Sequence, residues 1–240
     1  MRTRTTTTLT AAATVAGLLA CGPGARAGTT GTDTATAGSA VASTHTLSSL
    51  RQQTVDRANA LLRTDLRYRD AGGTTRLSTQ PSADRNVLAW SGSNTNRNEL
   101  NDFSTGYASG LDWCGYFVAR TWTGQNTPDP GSFPRIPTFY MRSQAWRTDA
   151  LTAYLRFSQT RLPQPGDVLV WQNGTGAAGA DNGSATGHVG VVTAVDATTK
   201  VVTSVEGNVA GDEIRRHTYA WDADGPTKDG KHFMGHTSRD

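Results

Sequence analysis

The stretch after Pro163-Gln164-Pro165-Gly166 limits the fold most strongly. Short β-branched runs follow one another there: 167–171 (DVLVW), 187–196 (GHVGVVTAVD), 200–206 (KVVTSVE) and 213–221 (EIRRHTYAW), with 233–237 as a last candidate. Turn-forming residues bound each run, which reads as a series of strands. Strands joined by short turns pair antiparallel, because a parallel pair needs a crossover of a dozen or more residues. Upstream the pattern is helical. Leu50, Ala58, Leu61 and Leu62 share one face, and Ser49 with Gln52 forms a capping box, so a helix is expected over 49–64. A second is expected over 111–122, where 113, 117 and 118 recur at helical spacing and Asp112 is the candidate N-cap. A third is expected around 138–148, and 70–110 reads as mostly loop with one apolar patch at 87–90. Helices first and strands after indicate an α+β domain. No internal repeat is visible.

The N-terminus reads as an export signal. Two arginines, Arg2 and Arg4, precede an uncharged run from Leu9 to Ala20 that is too short to span a bilayer. Cleavage after Ala25-Arg26-Ala27 would give a secreted, soluble chain. The alternative is a lipoprotein box, Leu18-Leu19-Ala20-Cys21, with lipidation at Cys21 as a membrane anchor. The expected organisation is signal peptide 1–27, flexible Gly/Thr/Ala linker 28–47 and one folded domain 48–240, as a monomer. The whole chain has 23 Lys+Arg against 20 Asp+Glu. Loss of Arg2, Arg4 and Arg26 with the signal removes that excess. The remaining basic residues are dispersed, so no nucleic-acid partner is expected.

Loss or lipidation of Cys21 leaves Cys114 alone. An unpaired Cys in an exported chain is either a reactive thiol or an inert core residue, and the count does not separate these. A free thiol has a pKa near ~8.5. A helix N-terminus contributes roughly 0.3–1 kcal/mol toward the anion, which is too little for full activation. A base must therefore face it. Of the five His, His45 lies in the linker, and His217, His232 and His236 lack a small-residue setting. His188, in Gly187-His188-Val189-Gly190, has glycines that leave room for another backbone such as a helix start. A base also needs a partner for its second ring nitrogen. The strand after His188 ends Glu206-Gly207-Asn208, and either Glu206 or Asn208 would come near it. Two metal readings are weaker. Asp222-Ala223-Asp224-Gly225 is followed by Pro226 and lacks a closing Glu, and His232 with His236 has no evident third ligand. No metal or other cofactor is expected.

Four segments resemble the CHAP family, the cysteine- and histidine-dependent amidohydrolases and peptidases related to NlpC-type cell-wall peptidases. They are Trp113-Cys114-Gly115-Tyr116-Phe117-Val118, Gln164-Pro165-Gly166-Asp167-Val168, Gly187-His188-Val189-Gly190 and Glu206-Gly207-Asn208, in family order. With the helix at 49–64 the resemblance extends over about 48–240. It implies a papain-like cysteine peptidase fold and a peptidoglycan substrate. It also implies catalytic roles for Cys114 (nucleophile), His188 (base), Glu206 (orienting His188) and Asn208 (support). The Cys114 N–H would serve as one oxyanion donor, with the second unassigned. Trp113 and Trp171 are candidate substrate-binding aromatics, and Asp167 reads as a turn-stabilising residue. The 172–187 segment reads as a lid beside the groove. The alternatives are a transferase or amidase on another substrate, or a non-catalytic wall-binding module. An activated Cys114 thiolate would alkylate quickly near pH 6.

Overall fold

The turn at Pro163–Gly166 separates a half that holds the described helices and only short strands from the five long strands of the central sheet. A computed structural model describes residues 37–69, 75–87, 112–125, 128–209, 213–228 and 230–239. The signal segment, Cys21, the start of the linker and residues 88–90 of the apolar patch lie outside these. In chain order the elements are α1 (Ala37–Arg63), β1 (Arg67–Arg69), β2 (Thr75–Leu77), β3 (Arg85–Val87), α2 (Cys114–Thr123), α3 (Ala145–Thr148), β4 (Arg156–Ser158), β5 (Val168–Asn173), β6 (Gly187–Asp196), β7 (Val201–Val209), β8 (Glu213–Ala220) and β9 (Lys231–Ser238). No helix among the described residues is long and apolar enough to cross a membrane.

β1 and β2 form a small antiparallel pair, and the other seven strands form one sheet in the order β3-β8-β7-β6-β5-β9-β4. Every pairing in that sheet is antiparallel, so the α+β class and the antiparallel sheet hold. Side chains alternate across β5. Val168 and Val170 join the larger core cluster with Leu62, Phe117 and Trp122, while Leu169 and Trp171 join Val192, Val202 and Phe233 on the other face. The sheet is therefore buried on both sides, which accounts for the near-continuous apolar runs of β5 and β6.

The helical expectations need correction. α1 begins at Ala37 and runs through most of the segment read as linker. Alanines at 37, 40 and 42 favour that backward extension. Ser49 is therefore inside the helix and Gln52 does not close a capping box; its amide donates to Asp56 (2.8 Å). α3 occupies only the last four residues of the helix expected over 138–148. The short strands β2, β3 and β4 were not legible as elements, since three residues carry no period.

Asp167 ties the halves together. Its carboxylate is fully buried. It accepts from Arg51 on α1 at 2.7 Å, from Ser238 Oγ on β9 at 2.8 Å and from the Gln164 N–H in the turn at 2.9 Å. The expected turn role is present, with a helix and a strand added. Replacing Asp167 by Ala removes this shared buried acceptor, and the expected loss is about 3–5 kcal/mol of stability. Urea unfolding checks this; a loss under ~1 kcal/mol would mean that the three elements are held by other contacts.

Candidate active site

The start of α2 sits against the central strands. Cys114 is its first residue and is buried. The backbone N–H groups of Val189, Gly115 and Cys114 itself face the sulfur. Val189 is the residue next to His188, so the helix start and the His strand meet at the sulfur. Asp112 is not the N-cap. That position is Trp113, with no side-chain cap bond. Asp112 instead accepts from Asn208 Nδ2 at 2.9 Å. Asn208 has φ 61°, a left-handed conformation, at a register shift between Glu206 and Val209. That irregularity separates the two side chains: Asn208 bonds Asp112 in the loop before Cys114, and Glu206 bonds His188.

His188 Nε2 lies 2.9 Å from Glu206 Oε2, and both side chains are buried. Gly190 makes this possible, because a Cβ there would lie 2.5 Å from Glu206 Cγ. The room at Gly190 thus serves the Glu206 side chain as it crosses toward His188, not the helix start expected from the sequence. Gly187 lies against Trp171 O and the Gln144 amide.

Three further donors converge on the same carboxylate. Ser204 Oγ donates to Oε1 at 2.6 Å, Tyr219 OH to Oε1 at 2.7 Å, and Lys228 Nζ to Oε2 at 2.8 Å. Burial opposes the charge on Glu206, but the hydrogen bond and charge of His188 and the charge of Lys228 outweigh it and hold the carboxyl well below the usual range. A carboxylate accepting four donors stays ionised. It then requires a proton on His188 Nε2, which leaves Nδ1 as the basic nitrogen of a neutral imidazole. Burial also lowers the His188 pKa, against the pull of Glu206, with Lys228 and Lys231 adding to the lowering. Ser204, Tyr219 and Lys228 were not recognised in the sequence. Ser204 alone had a local signal, two residues from Glu206 on one strand face; the other two come from β8 and the loop before β9.

The surroundings of Cys114 favour the protonated thiol over the anion. Burial and the nearby Asp112 push Cys114 up to about 12, against the three backbone N–H groups. Rapid alkylation near pH 6, the mark of an activated thiolate, is therefore not expected of the free protein. A cleft of about 490 Å³ opens on Cys114, lined by Asp112, Tyr116, Phe139, Met141, Arg142, Ser143 and residues 185–187. Trp113 and Trp171, read as candidate groove aromatics, are both buried in the core. Trp171 lies 5.8 Å from the His188 ring and donates Nε1–H to Pro226 O at 2.8 Å, so it packs behind the imidazole and does not line the cleft. The loop after β5 does border the cleft, but it is hydrogen-bonded in place. Gln172 Nε2 donates to Asp181 Oδ1 (2.7 Å) and Ser184 O (2.8 Å), and Asn182 Nδ2 donates to Asn173 O (2.9 Å). His232 bonds that loop through Gly174 O and Ala180 O, and no group of three metal-binding side chains occurs among the described residues.

The family model described as CHAP domain matches residues 106–208. That match bears out the family read from the four motifs, over a shorter stretch than the expected 48–240. It begins before Cys114 and ends at Asn208, so Tyr219 and Lys228 lie beyond it. It supports a hydrolase of the amidase or peptidase class. No curated protein and no solved structure matches the chain.

Lys228 gives the site a measurable pH signature. With His188 as the base, activity is expected to fall as pH drops through the His188 pKa. Removing the Lys228 charge by Lys228→Met raises that pKa, and the acid limb of kcat/KM is expected to move to higher pH. Lys228→Arg should leave the limb near its original position. A lowered rate with an unmoved limb in Lys228→Met would assign the lysine a purely structural part.

Proposed function

We propose that the chain is an exported cysteine amidohydrolase or peptidase of papain-like fold that cleaves amide bonds of bacterial peptidoglycan. The observation that carries this reading is the buried His188–Glu206 pair (2.9 Å) on the strand whose next residue, Val189, turns its N–H to the Cys114 sulfur. Cys114, His188 and Glu206 form the catalytic set, and Asn208 supports the nucleophile loop through Asp112. Export rests on the basic, short apolar N-terminus, and the monomeric state on the single sheet domain.

Because the resting thiol is protonated, the reaction starts from a neutral pair. His188 Nδ1 takes the thiol proton as the sulfur attacks the amide carbon. Glu206 stabilises the imidazolium that results. The carbonyl electron pair moves to oxygen, which the Cys114 N–H at the helix start is placed to receive. Collapse breaks the C–N bond, and His188 returns its proton to the departing amine. A water then attacks the thioester, His188 again accepts the proton, and the carboxylic acid leaves with the thiol restored. Atoms and charge balance over the two halves without a cofactor.

Digestion of purified cell walls tests the reading. Wild type is expected to release soluble fragments, and Cys114→Ala to lose activity by about 10³-fold or more. Free L-alanine amino termini on released stem peptides identify an amidase, and severed crosslinks an endopeptidase. Equal, background-level release by both proteins on several wall types would contradict the reading. Products carrying a new amine in place of added water would point to a transferase.

A further inference from the structure

Arg142 is exposed in the cleft wall and has no anionic partner among the described residues. It lies on a tight turn whose Arg142 N–H donates to Phe139 O at 2.8 Å. That turn is seated on the nucleophile helix: a Cβ at Gly115 would lie 2.3 Å from Tyr140 O and 2.5 Å from Met141 O. Only glycine lets the two backbones meet, so the turn keeps a fixed place beside Cys114. The guanidinium carbon lies 5.2 Å from the centre of the Phe139 ring, which supports its plane without neutralising its charge.

The other charged side chains lining the cleft and the hollow beside it each have a partner, which for Asp149 is a neutral hydroxyl that leaves its charge in place. A second hollow of about 310 Å³ adjoins the Cys114 cleft, and the two share Phe139, Arg142 and Ala185. In that hollow Arg147 pairs with Asp181 at 2.9 Å, and Asp149 accepts from Thr148 Oγ1 at 2.8 Å. On the Cys114 side Asp112 holds Asn208. Arg142 is thus the cation lining these two hollows that forms no ion pair or hydrogen bond through its guanidinium among the described residues.

We propose that Arg142 binds a carboxylate of the substrate, which makes the substrate an acidic peptide with its scissile amide over Cys114 and its free carboxylate at the junction of the two hollows. This rests on Cys114 being the nucleophile. Arginine suits the task because its planar fork pairs with both carboxylate oxygens at once, which a carboxamide cannot match in charge. Arg142 is a specificity residue in this role and takes no part in proton transfer.

Two synthetic stem peptides test it, identical except that an acidic residue carries a free carboxylate in one and a carboxamide in the other. Wild type is expected to favour the carboxylate peptide by about 10-fold or more in kcat/KM, mainly through KM. Arg142→Gln should abolish the preference, and Arg142→Lys should restore part of it. Equal use of both peptides by wild type, or an equal loss on both in Arg142→Gln, would overturn the proposal. Calorimetry with the Cys114→Ala protein separates this from failure of the hydrolase reading. Tighter binding of the carboxylate peptide, lost in Cys114→Ala/Arg142→Gln, supports the subsite even without turnover, and equal binding of both peptides refutes it.

Discussion

A buried carboxylate organises this molecule's chemistry. Glu206 lies within the fold, where an isolated charge would be prohibitively costly, and it persists because Ser204, Tyr219, Lys228 and His188 all donate to it at 2.6–2.9 Å. Each donor comes from a different part of the sheet region: the same strand, the next strand, the loop before β9 and the preceding strand. The sheet must therefore close in register before the carboxylate is satisfied. Once it is, the tautomer of His188 follows, and with it the direction in which a proton can move. In the proposed mechanism, function is coupled to folding through this one group.

The thiol and the imidazole are both buried and both neutral at rest, which suits a step in which proton transfer accompanies attack. A permanent thiolate would need a neighbouring cation, whereas the charge acting on Cys114 among the described residues is that of the acidic Asp112. Lys228 instead stands behind Glu206, on the oxygen that it shares with His188. Its charge tempers the pull of the carboxylate on the imidazole, so that Glu206 can orient the ring without trapping it as the cation.

The sequence made the strands after Pro163 legible because their β-branched runs are long and bounded by turns. The His188–Glu206 pairing and the place of Cys114 at a helix start were legible because each residue sits in a short motif with its own chemical reason. Lys228 and Tyr219 were not, since their role depends on β8 and the β9 approach folding over β7, which no local pattern states. Asp112 was misread as the N-cap, and the partner of Asn208 was not foreseen, for a related reason. The register shift after Glu206 gives Asn208 a left-handed backbone and directs its amide to Asp112, away from His188. Trp113 and Trp171 were ambiguous from spacing, and burial on the two faces of the sheet settles both as core. The start of α1 was missed because a Gly/Thr/Ala composition was read as uniformly disordered, although its alanine-rich end favours helix.

The central claim is that Glu206 holds the Nε2 proton of His188, leaving Nδ1 bare to serve Cys114. Nitrogen NMR of the labelled imidazole at neutral pH reads this directly. The account expects a protonated Nε2 and an unprotonated Nδ1 in wild type, with the Nδ1 signal shifting on Cys114→Ala. A proton resting on Nδ1, or an Nδ1 signal indifferent to loss of the sulfur, would contradict it.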